Sequence, residues 1–359
     1  MSITILDVHS AVYGAHKGNP IFKCGFPIAG IAKVFGILNG SISREDFALC
    51  FDGDDIIKKE LYPEYKANRI PDYSVYAQID LLKELLDLCN IPYFYSKKHE
   101  ADDYIFTLCH DLSLLSNGEE KITVMSDDRD MACCVTENIS LRNITTNGKS
   151  ITKDNFSTRV VADKTILFNT ILLYKLFYGD KSDHYTGIKI PGLSYDVLAS
   201  IVVDAIQPYI DSGEFCEIQY SDYEVFCIIA DSIDFISESD KEALKHHARL
   251  VFPYRVPLGN LSLQEYFKES LTSPMYKVHR KMGIAGSNEV YSSTFFDICN
   301  TLGISRKGKE SQQLLDLFSL KAKALVEGDF IASKVIHKKI EKPQAGQLVN
   351  MRIDEELFR

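Results

Sequence analysis

Carboxylates are concentrated in one short stretch of this chain and recur at matching positions elsewhere. In the stretch Lys97 to Tyr104, the acids Glu100, Asp102 and Asp103 fall within four residues. The apolar residues that follow at three- and four-residue spacing predict that a helix begins here, and acids in the first turn of a helix are stabilised by its dipole. For this stretch alone, a helix start explains the three acids about as well as ion binding does.

Other acids follow predicted strands. The strand ends that carry acids are, in chain order, Ile3 to Val8 with Asp7, Phe47 to Phe51 with Asp52, Ile91 to Tyr95 with Glu100 to Asp103, and Lys121 to Met125 with Asp127 to Asp130. Strands that alternate with helices form a mostly parallel sheet, and the carboxyl ends of its strands meet at one edge, so these acids should converge there. Taken singly, each acid is explained at least as well as a turn or helix-cap residue. Their joint occurrence favours a shared cation.

Crowded carboxylates at neutral pH imply bound cations, because like charges raise one another's pKa and destabilise the fold. Apart from His99 and His184 at their edges, the clustered positions hold neither His nor Cys, so the ligands would all be oxygen atoms. Oxygen ligands favour Mg²⁺, with Mn²⁺ as a substitute, over Zn²⁺. There are more candidate ligands than one octahedral ion needs. This suggests two ions, the arrangement that hydrolyses phosphodiester bonds.

A cationic and aromatic segment follows the second predicted strand. The segment Ile56 to Tyr73 contains two prolines, which exclude one continuous helix, and we interpret it as an exposed, partly mobile excursion before a helix capped by Ser74. Its lysines and arginine would supply positive charge to a phosphate, and its tyrosines would offer aromatic faces to an unpaired base. Taken alone, Lys66 is more often a solvated surface lysine.

Bulk composition bounds the class of protein. The chain has 359 residues, 45% of them hydrophobic, and a net charge of -10, which is enough length for two domains or one with an extension. The negative net charge disfavours nucleic-acid binding on average, because nucleic-acid-binding domains are usually basic. The cysteines show no zinc-ligand spacing, and the sequence shows neither a signal segment nor an apolar run long enough to span a bilayer. We therefore expect a cytoplasmic protein, in the host cell if it is viral.

Taken in order, these motifs resemble those of the flap endonuclease and 5′ nuclease family, and most of all its bacteriophage replication members. The resemblance covers about residues 1–200 and rests on Asp7, Phe51-Asp52-Gly53, Tyr62 to Arg69, Glu100 to Asp103, Ser126 to Asp130 and Gly179 to Asp183. Each motif alone is weak, but the ordered combination is highly specific. The resemblance implies a divalent-metal-dependent 5′→3′ exonuclease or flap endonuclease that hydrolyses phosphodiester bonds by a two-metal mechanism in DNA replication.

The resemblance also implies a role for each site residue. The first ion would be held by Asp7, Asp52, Glu100 and Asp102, and the second ion would be served by Asp128, Asp130, Asp180, Asp103 and Asp183. Lys66 and Arg69 would be the catalytic cations of a helical arch, with Tyr65 stacking on the terminal base. The expected nucleic-acid-binding set is completed by Lys58, Lys59, Lys181 and Lys189. The substrates would be DNA with 5′ ends, flaps or nicks, and RNA·DNA hybrids where RNA primers are removed.

The predicted fold class is α/β, with a mostly parallel central sheet flanked by helices, as in a 5′ nuclease or PIN-like core. Residues 1–163 would form this core with an arch at about 56–73, and residues 164–255 a helical duplex-binding region with a helix-three-turn-helix motif at about 179–205. Residues 256–359 would form a mainly helical C-terminal extension with a flexible tail. Ser194 and Asp196 depart from the family pattern in that motif, which leaves duplex gripping and a bound K⁺ ion open.

Two alternative functions follow from the same sequence. The first is a scaffold that binds nucleic-acid structures and recruits a single-stranded-DNA-binding protein or a polymerase through the run Asp354 to Phe358. The complete set of acids argues against a catalytically inactive scaffold. The second is a small single-domain ribonuclease, which would account for the acids but not for the arch segment or the loop Gly179 to Asp183.

Overall fold

The computed structural model describes residues 2–41, 46–54, 56–116, 118–145, 150–156, 170–258, 284 and 293–327. The strands in these ranges are β1 (Ser2–Asp7), β2 (Phe22–Lys23), β3 (Phe26–Pro27), β4 (Asp46–Cys50), β5 (Lys121–Met125), β6 (Ile139–Arg142) and β7 (Ser150–Ile151). The α-helices are α1 (Val8–Gly18), α2 (Ala29–Ser41), α3 (Ile56–Leu61), α4 (Tyr73–Leu88), α5 (Ala101–Leu115), α6 (Ile171–Tyr178), α7 (Tyr195–Asp211), α8 (Tyr223–Asp231), α9 (Glu238–Val251), α10 (Ser293–Thr301) and α11 (Gln312–Glu327). Short 3₁₀ helices cover Arg129–Cys134, Lys153–Asn155 and Glu217–Ser221. Within the described ranges, no helix combines the length and apolar character that a membrane crossing requires.

The predicted parallel sheet is confirmed, with strand order β4-β1-β5-β6-β7. β1 pairs in parallel with both β4 and β5, β6 extends the parallel pairing, and β7 adds an antiparallel edge. The strands are largely apolar because helices cover the sheet, and Ile3, Ile5 and Leu49 are fully buried. In the register of β1 and β4, Asp7 lies opposite Cys50, which brings two acid-bearing strand ends side by side.

The third predicted strand, Ile91 to Tyr95, is wrong. This segment forms an isolated bridge, in which main-chain hydrogen bonds of 2.8 Å and 2.9 Å join Phe94 to the end of β4. The chain then passes very close to the residues after β4, since a Cβ on Gly53 would lie 2.0 Å from the Ser96 carbonyl oxygen. A residue without a side chain is needed there, and the close approach carries the following acids to the sheet edge.

Acidic side chains set several helix starts. α1 begins directly after β1, capped by Asp7, and the apolar run Ile3 to Val8 did not predict this helix. α5 begins after its N-cap residue Glu100, so the helix predicted at this stretch is confirmed. α4 is capped by Asp72 rather than by Ser74, because the Asp72 carboxylate accepts the Ser74 N–H (3.1 Å). Asp7 and Asp72 thus satisfy main-chain N–H groups that a helix start leaves unpaired.

Two hydrophobic cores lie on the two faces of the sheet. Alternate residues of β4 enter different cores, with Ala48 and Cys50 in the first and Phe47 and Leu49 in the second, as strand geometry requires. The first core takes in α5 and the helices α6 to α9. The second takes in α1, α2 and α4, and also α10 and α11 from the predicted C-terminal extension, where Phe318 is fully buried. The described part of the extension therefore packs on the sheet-and-helix core.

The predicted arch segment is less exposed than its composition suggests. α3 forms its first turns and residues 63–68 continue as turns, so the prediction that the segment is not one continuous helix is confirmed. Lys58 and Tyr65, however, are only 5% and 4% exposed, because both contact the buried carboxylate of Glu100. The expectation of an exposed excursion is wrong for these two side chains.

Candidate active site

Asp7 and Asp128 are joined through Ser126. The Asp7 carboxylate accepts hydrogen bonds from the Ser10 N–H (3.0 Å) and the Ser126 hydroxyl (2.7 Å), which fix it at the end of β1. The Ser126 oxygen in turn accepts the Asp128 N–H (3.0 Å). Asp128 caps the 3₁₀ helix that follows by accepting the Asp130 N–H (2.9 Å). These hydrogen bonds through Ser126 therefore hold the ends of β1 and β5 together.

Asp127, next to Asp128, faces a different part of the chain. Its Oδ1 atom accepts the N–H groups of Ile144 (2.8 Å) and Thr145 (3.1 Å), so it holds the turn after β6. Asp128 lines the central cavity described below, and Asp127 lies outside that lining. The family resemblance assigns an ion-binding role to Asp128 rather than to Asp127, and this placement supports that assignment.

Asp52 is held by two elements outside its own strand. Its main-chain N–H donates to Nδ1 of His9 (3.0 Å), and its Oδ1 atom accepts the N–H of Ala101 at the start of α5 (2.8 Å). His9 Nδ1 is an acceptor and therefore carries no proton, and burial lowers the pKa of His9. Asp52 thus lies where α1, β4 and α5 meet.

Glu100 is neutralised by lysines from the arch segment. The ammonium groups of Lys58 and Lys66 each pair with one of its oxygens, and the Tyr65 hydroxyl donates to it (3.1 Å). Burial opposes ionisation of Glu100, but the two ammonium groups outweigh burial and hold its pKa well below the usual range. Those ammonium groups also lie 5.6 Å and 5.1 Å from the Tyr65 ring centroid. The ring of Tyr65 packs within its own segment, which differs from the expected open face for a terminal base.

The Asp103 carboxylate accepts hydrogen bonds from main-chain N–H groups. Its Oδ2 atom accepts the Glu100 N–H (3.0 Å) in the capping box of α5, and its Oδ1 atom accepts the Tyr254 N–H (2.7 Å). Asp103 is 2% exposed and lies outside the cavity lining, whereas its neighbour Asp102 belongs to that lining. The structure therefore does not bring Asp103 to the second-ion position that the resemblance implies.

A second group of acids consists of Asp130, Asp180 and Asp183. One carboxylate oxygen of each lies within 4.8 Å of the others, which is close enough for one cation to contact all three. The Lys175 ammonium does so, since it lies 2.9 Å from Asp180 and from Asp183 and also pairs with Asp130. Burial disfavours charge on Lys175, but the acids outweigh it and raise its pKa well above the usual range. The same contact, against the effect of burial, lowers the pKa of Asp180 to about 2.

The loop that carries Asp180 and Asp183 is a tight turn. Asp180 and Tyr185 form an isolated antiparallel bridge with hydrogen bonds of 2.7 Å and 2.8 Å. Gly179 has a φ of +76°, and a Cβ there would lie 2.5 Å from the Tyr185 carbonyl oxygen, so glycine is required. Farther along, α7 starts at its N-cap Ser194, whose side chain accepts a main-chain N–H (3.3 Å). The departure from the family pattern at Ser194 therefore has a structural role as a helix cap.

One cavity of about 630 Å³ collects many of the predicted site residues. Its lining includes Asp7, Asp52, Tyr65, Lys66, Arg69, Asp102, Asp128, Asp130 and Asp183. The predicted residues outside the lining are Lys58, Lys59, Glu100, Asp103, Asp180, Lys181 and Lys189, of which Lys59, Lys181 and Lys189 are exposed. Acids and arch cations from distant parts of the chain thus share one cavity.

The acids at the strand ends repel one another. Burial, and then the neighbouring carboxylates, raise the pKa of Asp7 to about 7, that of Asp128 to about 6, and that of Asp102 well above its usual range. Carboxylates whose pKa values are raised by mutual repulsion suit a divalent cation, because its positive charge stabilises their ionised forms. Nδ1 of the nearby His9 is not free to bind a metal ion, because it already accepts the hydrogen bond from the Asp52 main-chain N–H. The residues present therefore fit a hard ion such as Mg²⁺ or Mn²⁺.

Sequence reasoning missed several residues of the site, and Lys175 is the clearest case. It is the single charged residue of α6, whose sequence is ILLYKLFY, and it lies five residues before Asp180. A lysine in an apolar helix needs an acidic partner when buried, so this position carried a usable signal. His9 and Ser10 gave no such signal, because His9 accepts the Asp52 N–H and the Ser10 hydroxyl accepts the Asp127 N–H, both from segments distant in sequence.

The parallel sheet and the acid-lined cavity define an α/β protein with a candidate divalent-metal site at the carboxyl ends of its strands. Residues 2–163 match the family model described as 5′-3′ exonuclease, N-terminal resolvase-like domain. This match confirms the resemblance to 5′ nucleases over that part of the chain.

Curated relatives overlap with part of the chain. It is 30% identical over 200 residues to a DNA polymerase I of Caldicellulosiruptor bescii, a match that covers 53% of this chain and 23% of the relative. It is 40% identical over 122 residues to a 5′-3′ exonuclease of Buchnera aphidicola subsp. Acyrthosiphon pisum, with 33% and 41% covered. The chain thus spans less than half the length of these relatives.

Solved structures with a similar chain trace come from bacteriophage T5. A T5 flap endonuclease in complex with DNA and metal ions is 16% identical, with 91% of this chain and 100% of that chain covered and a TM-score of 0.45. A T5 5′-exonuclease with bound zinc is 17% identical, with 70% and 99% covered and a TM-score of 0.43. At these scores the likeness supports no conclusion about this chain.

Proposed function

We propose that this protein is a divalent-metal-dependent 5′ nuclease that hydrolyses phosphodiester bonds in DNA at 5′ ends, flaps or nicks. The observation that carries this function is the cavity of about 630 Å³ in which acids from separate segments meet the cations Lys66 and Arg69. Acids alone would repel a phosphate, and cations alone would not bind metal ions, so the combination suits a phosphodiester. The family match of residues 2–163 supports the same function.

The acids divide into two groups that would hold two ions. Asp7, Asp52 and Asp102 would hold the first, and Asp128 together with the group Asp130, Asp180 and Asp183 would serve the second. Divalent ions there would supply Lewis-acid stabilisation of negative charge on the phosphoryl oxygens. We propose Mg²⁺, with Mn²⁺ as a substitute, because the donors are carboxylate oxygens. Glu100 would act indirectly, as the anchor of Lys66.

Lys66 and Arg69 bring positive charge to the same cavity. Lys66 has a φ of +54°, and its N–H donates to the Asp183 carbonyl (3.1 Å), which ties the arch to the loop of the second acid group. The Arg69 guanidinium donates to Asp183 Oδ1 (2.8 Å). Both cations would contact the phosphate as negative charge develops on it. Such contacts act on the rate of the reaction more than on substrate affinity.

Lys66→Ala separates rate from affinity. It should lower the single-turnover rate by about 100-fold and weaken DNA binding by less than about threefold, because the ammonium acts on the transition state. Rapid-quench kinetics give the rate, and a DNA titration in Ca²⁺ gives the affinity. Lys98→Ala is the control, since Lys98 is exposed and outside the cavity lining. A loss of affinity at an unchanged rate would make Lys66 a tether.

Cleavage of a 5′-labelled substrate panel in Mg²⁺ tests the proposed function. The panel contains flap, nicked, gapped, single-stranded and RNA-primed duplexes. We expect cleavage of flap or nicked duplexes, with product lengths that distinguish exonuclease from endonuclease action, and the RNA-primed duplex tests primer removal. A protein that cuts none of them in Mg²⁺ or Mn²⁺ would contradict the proposal.

Three expectations from the sequence stay predictions. They are the cytoplasmic location, the K⁺ ion in the helix-three-turn-helix motif, and the recruitment of a single-stranded-DNA-binding protein or a polymerase. The recruiting run, Asp354 to Phe358, lies outside the described residues.

A further inference from the structure

Lys175 is surrounded by acids although it lies in an otherwise uncharged helix. Its ammonium lies 2.9 Å from a carboxylate oxygen of Asp180 and 2.9 Å from one of Asp183, and it also pairs with Asp130. The Lys175 side chain is 13% exposed, so solvent screens these contacts weakly. Lys175 therefore has the contacts that a cation bound by this three-acid group would have.

The charge around the two acid groups differs. Asp183 also accepts from Arg69 (2.8 Å), so two protein cations face the three acids Asp130, Asp180 and Asp183 and leave one uncompensated negative charge among them, apart from that of Asp128. The charges that act most on Asp7 and Asp102 are instead those of other carboxylates. In the part of the chain that the structure describes, no lysine or arginine is among the groups that act most on Asp7 and Asp102, so an added dication would meet less positive charge there than beside Lys175.

We propose that Lys175 competes with the divalent ion for Asp130, Asp180 and Asp183, so that this position binds its ion more weakly than the position formed by Asp7, Asp52 and Asp102. This inference rests on the proposed function, because it takes the acids to be ion ligands. An ammonium and a dication cannot occupy the same place among three carboxylates, and positive charges a few ångströms apart repel. The second position would therefore fill at higher ion concentrations than the first.

Lys175→Met tests the competition, because methionine keeps an unbranched side chain and removes the charge. Binding of Mn²⁺ to the full chain without DNA, followed by the electron paramagnetic resonance signal of free Mn²⁺, should show two affinities in the wild type. In Lys175→Met the weaker affinity should rise by at least about tenfold, while the stronger one changes by less than about threefold.

Lys245→Met is the matched control for this binding experiment. Lys245 is a half-buried lysine of α9 that also pairs with two acids, Asp231 (2.7 Å) and Glu242 (2.5 Å), and it lies outside the cavity lining. Its replacement should leave both Mn²⁺ affinities at their wild-type values. Lys175→Arg keeps the positive charge and should leave the weaker affinity low.

Loss of the ammonium removes the cation paired with Asp130 and Asp180 and leaves Asp183 with Arg69 alone, so Lys175→Met should be less stable than the wild type in EDTA. Circular dichroism records this loss, and Mn²⁺ should then raise the melting temperature of Lys175→Met more than that of the wild type. This second readout does not depend on cleavage, and it applies even if the variant is partly unfolded in EDTA.

An unchanged or lower Mn²⁺ affinity at the weaker position in Lys175→Met would overturn the inference and make Lys175 a structural tie between the acids. If the wild type binds Mn²⁺ and cleaves the DNA panel while the variant shows unchanged affinities, this inference alone fails. If neither protein binds Mn²⁺ and the wild type cleaves nothing, the proposed function fails as well.

Discussion

Asp102 and Asp103 are adjacent in sequence, yet their replacement by asparagine should change stability in opposite directions. Asp102 lines the cavity, where burial and the charges of Asp128 and Glu100 raise its pKa well above the usual range. Asp103 is buried and accepts two main-chain N–H groups, from Glu100 (3.0 Å) and Tyr254 (2.7 Å). Neighbouring negative charges therefore destabilise the ionised carboxylate of Asp102. The carboxylate of Asp103 stabilises the fold, because it accepts two main-chain N–H groups.

The structure sets the size of the effect at Asp103. Asparagine has one acceptor oxygen, so Asp103→Asn turns an amide NH₂ group toward one of the two N–H donors. An unsatisfied buried donor costs about 1–3 kcal/mol, so the free energy of unfolding should fall by roughly that amount. Asp102→Asn removes a charge that the fold disfavours, and it should raise the free energy of unfolding in EDTA.

Urea unfolding in EDTA at pH 7.5, followed by circular dichroism, measures both changes. The expected order of stability is Asp102→Asn, then wild type, then Asp103→Asn. A separate Mn²⁺ titration should show weakened binding in Asp102→Asn and near-normal binding in folded Asp103→Asn. The reasoning is refuted if Asp103→Asn keeps wild-type stability and loses an ion, because Asp103 would then be the ligand that the family resemblance implied.

Two further predictions concern the acids at the strand ends. Folding raises the pKa of Asp7 from its ordinary value of 3.8 to about 7, so its stabilising contribution is complete below pH 3.8 and is lost as pH rises through about 7. In EDTA the contribution of Asp7 to the free energy of unfolding should fall over that range by about 4 kcal/mol, from about three pKa units at about 1.4 kcal/mol each, and the difference between the wild-type and Asp7→Asn pH profiles from urea unfolding measures it. Replacing His9 by leucine removes the acceptor for the Asp52 N–H and should weaken Mn²⁺ binding by about tenfold, whereas His9→Asn should restore most of it by supplying an oxygen near Nδ1. Equal affinities in the two His9 variants would show that this hydrogen bond does not position Asp52.

Much of the fold follows from local sequence pattern. The apolar runs before Asp7 and Asp52 are strands because helices bury them on the sheet, and the helix after Glu100 starts at an acid that caps it. The segment Ile91 to Tyr95 has the same apolar pattern but forms one bridge. Pattern alone cannot show this, because the close approach at Gly53 is a contact between distant segments.

The sequence predicts which residue types form the candidate site better than it predicts the contacts that these residues make. The acids at strand ends converge because parallel strands share an edge, which local pattern reveals. The pairing of Lys175 with three acids and the use of Asp103 by the main chain depend on how helices pack. The burial of Tyr65 against Glu100 likewise follows from the path of the arch segment, which composition does not encode.

Cleavage of a 5′-labelled flap duplex in Mg²⁺ by Asp128→Asn tests the central claim most directly. Asp127→Asn is the matched control, because an asparagine oxygen can still accept the N–H groups of Ile144 and Thr145. We predict that Asp128→Asn lowers the single-turnover rate by at least about 100-fold with little change in DNA affinity, while Asp127→Asn cleaves like the wild type. Wild-type turnover by folded Asp128→Asn in Mg²⁺ would contradict the assignment of these acids to a metal-dependent nuclease site.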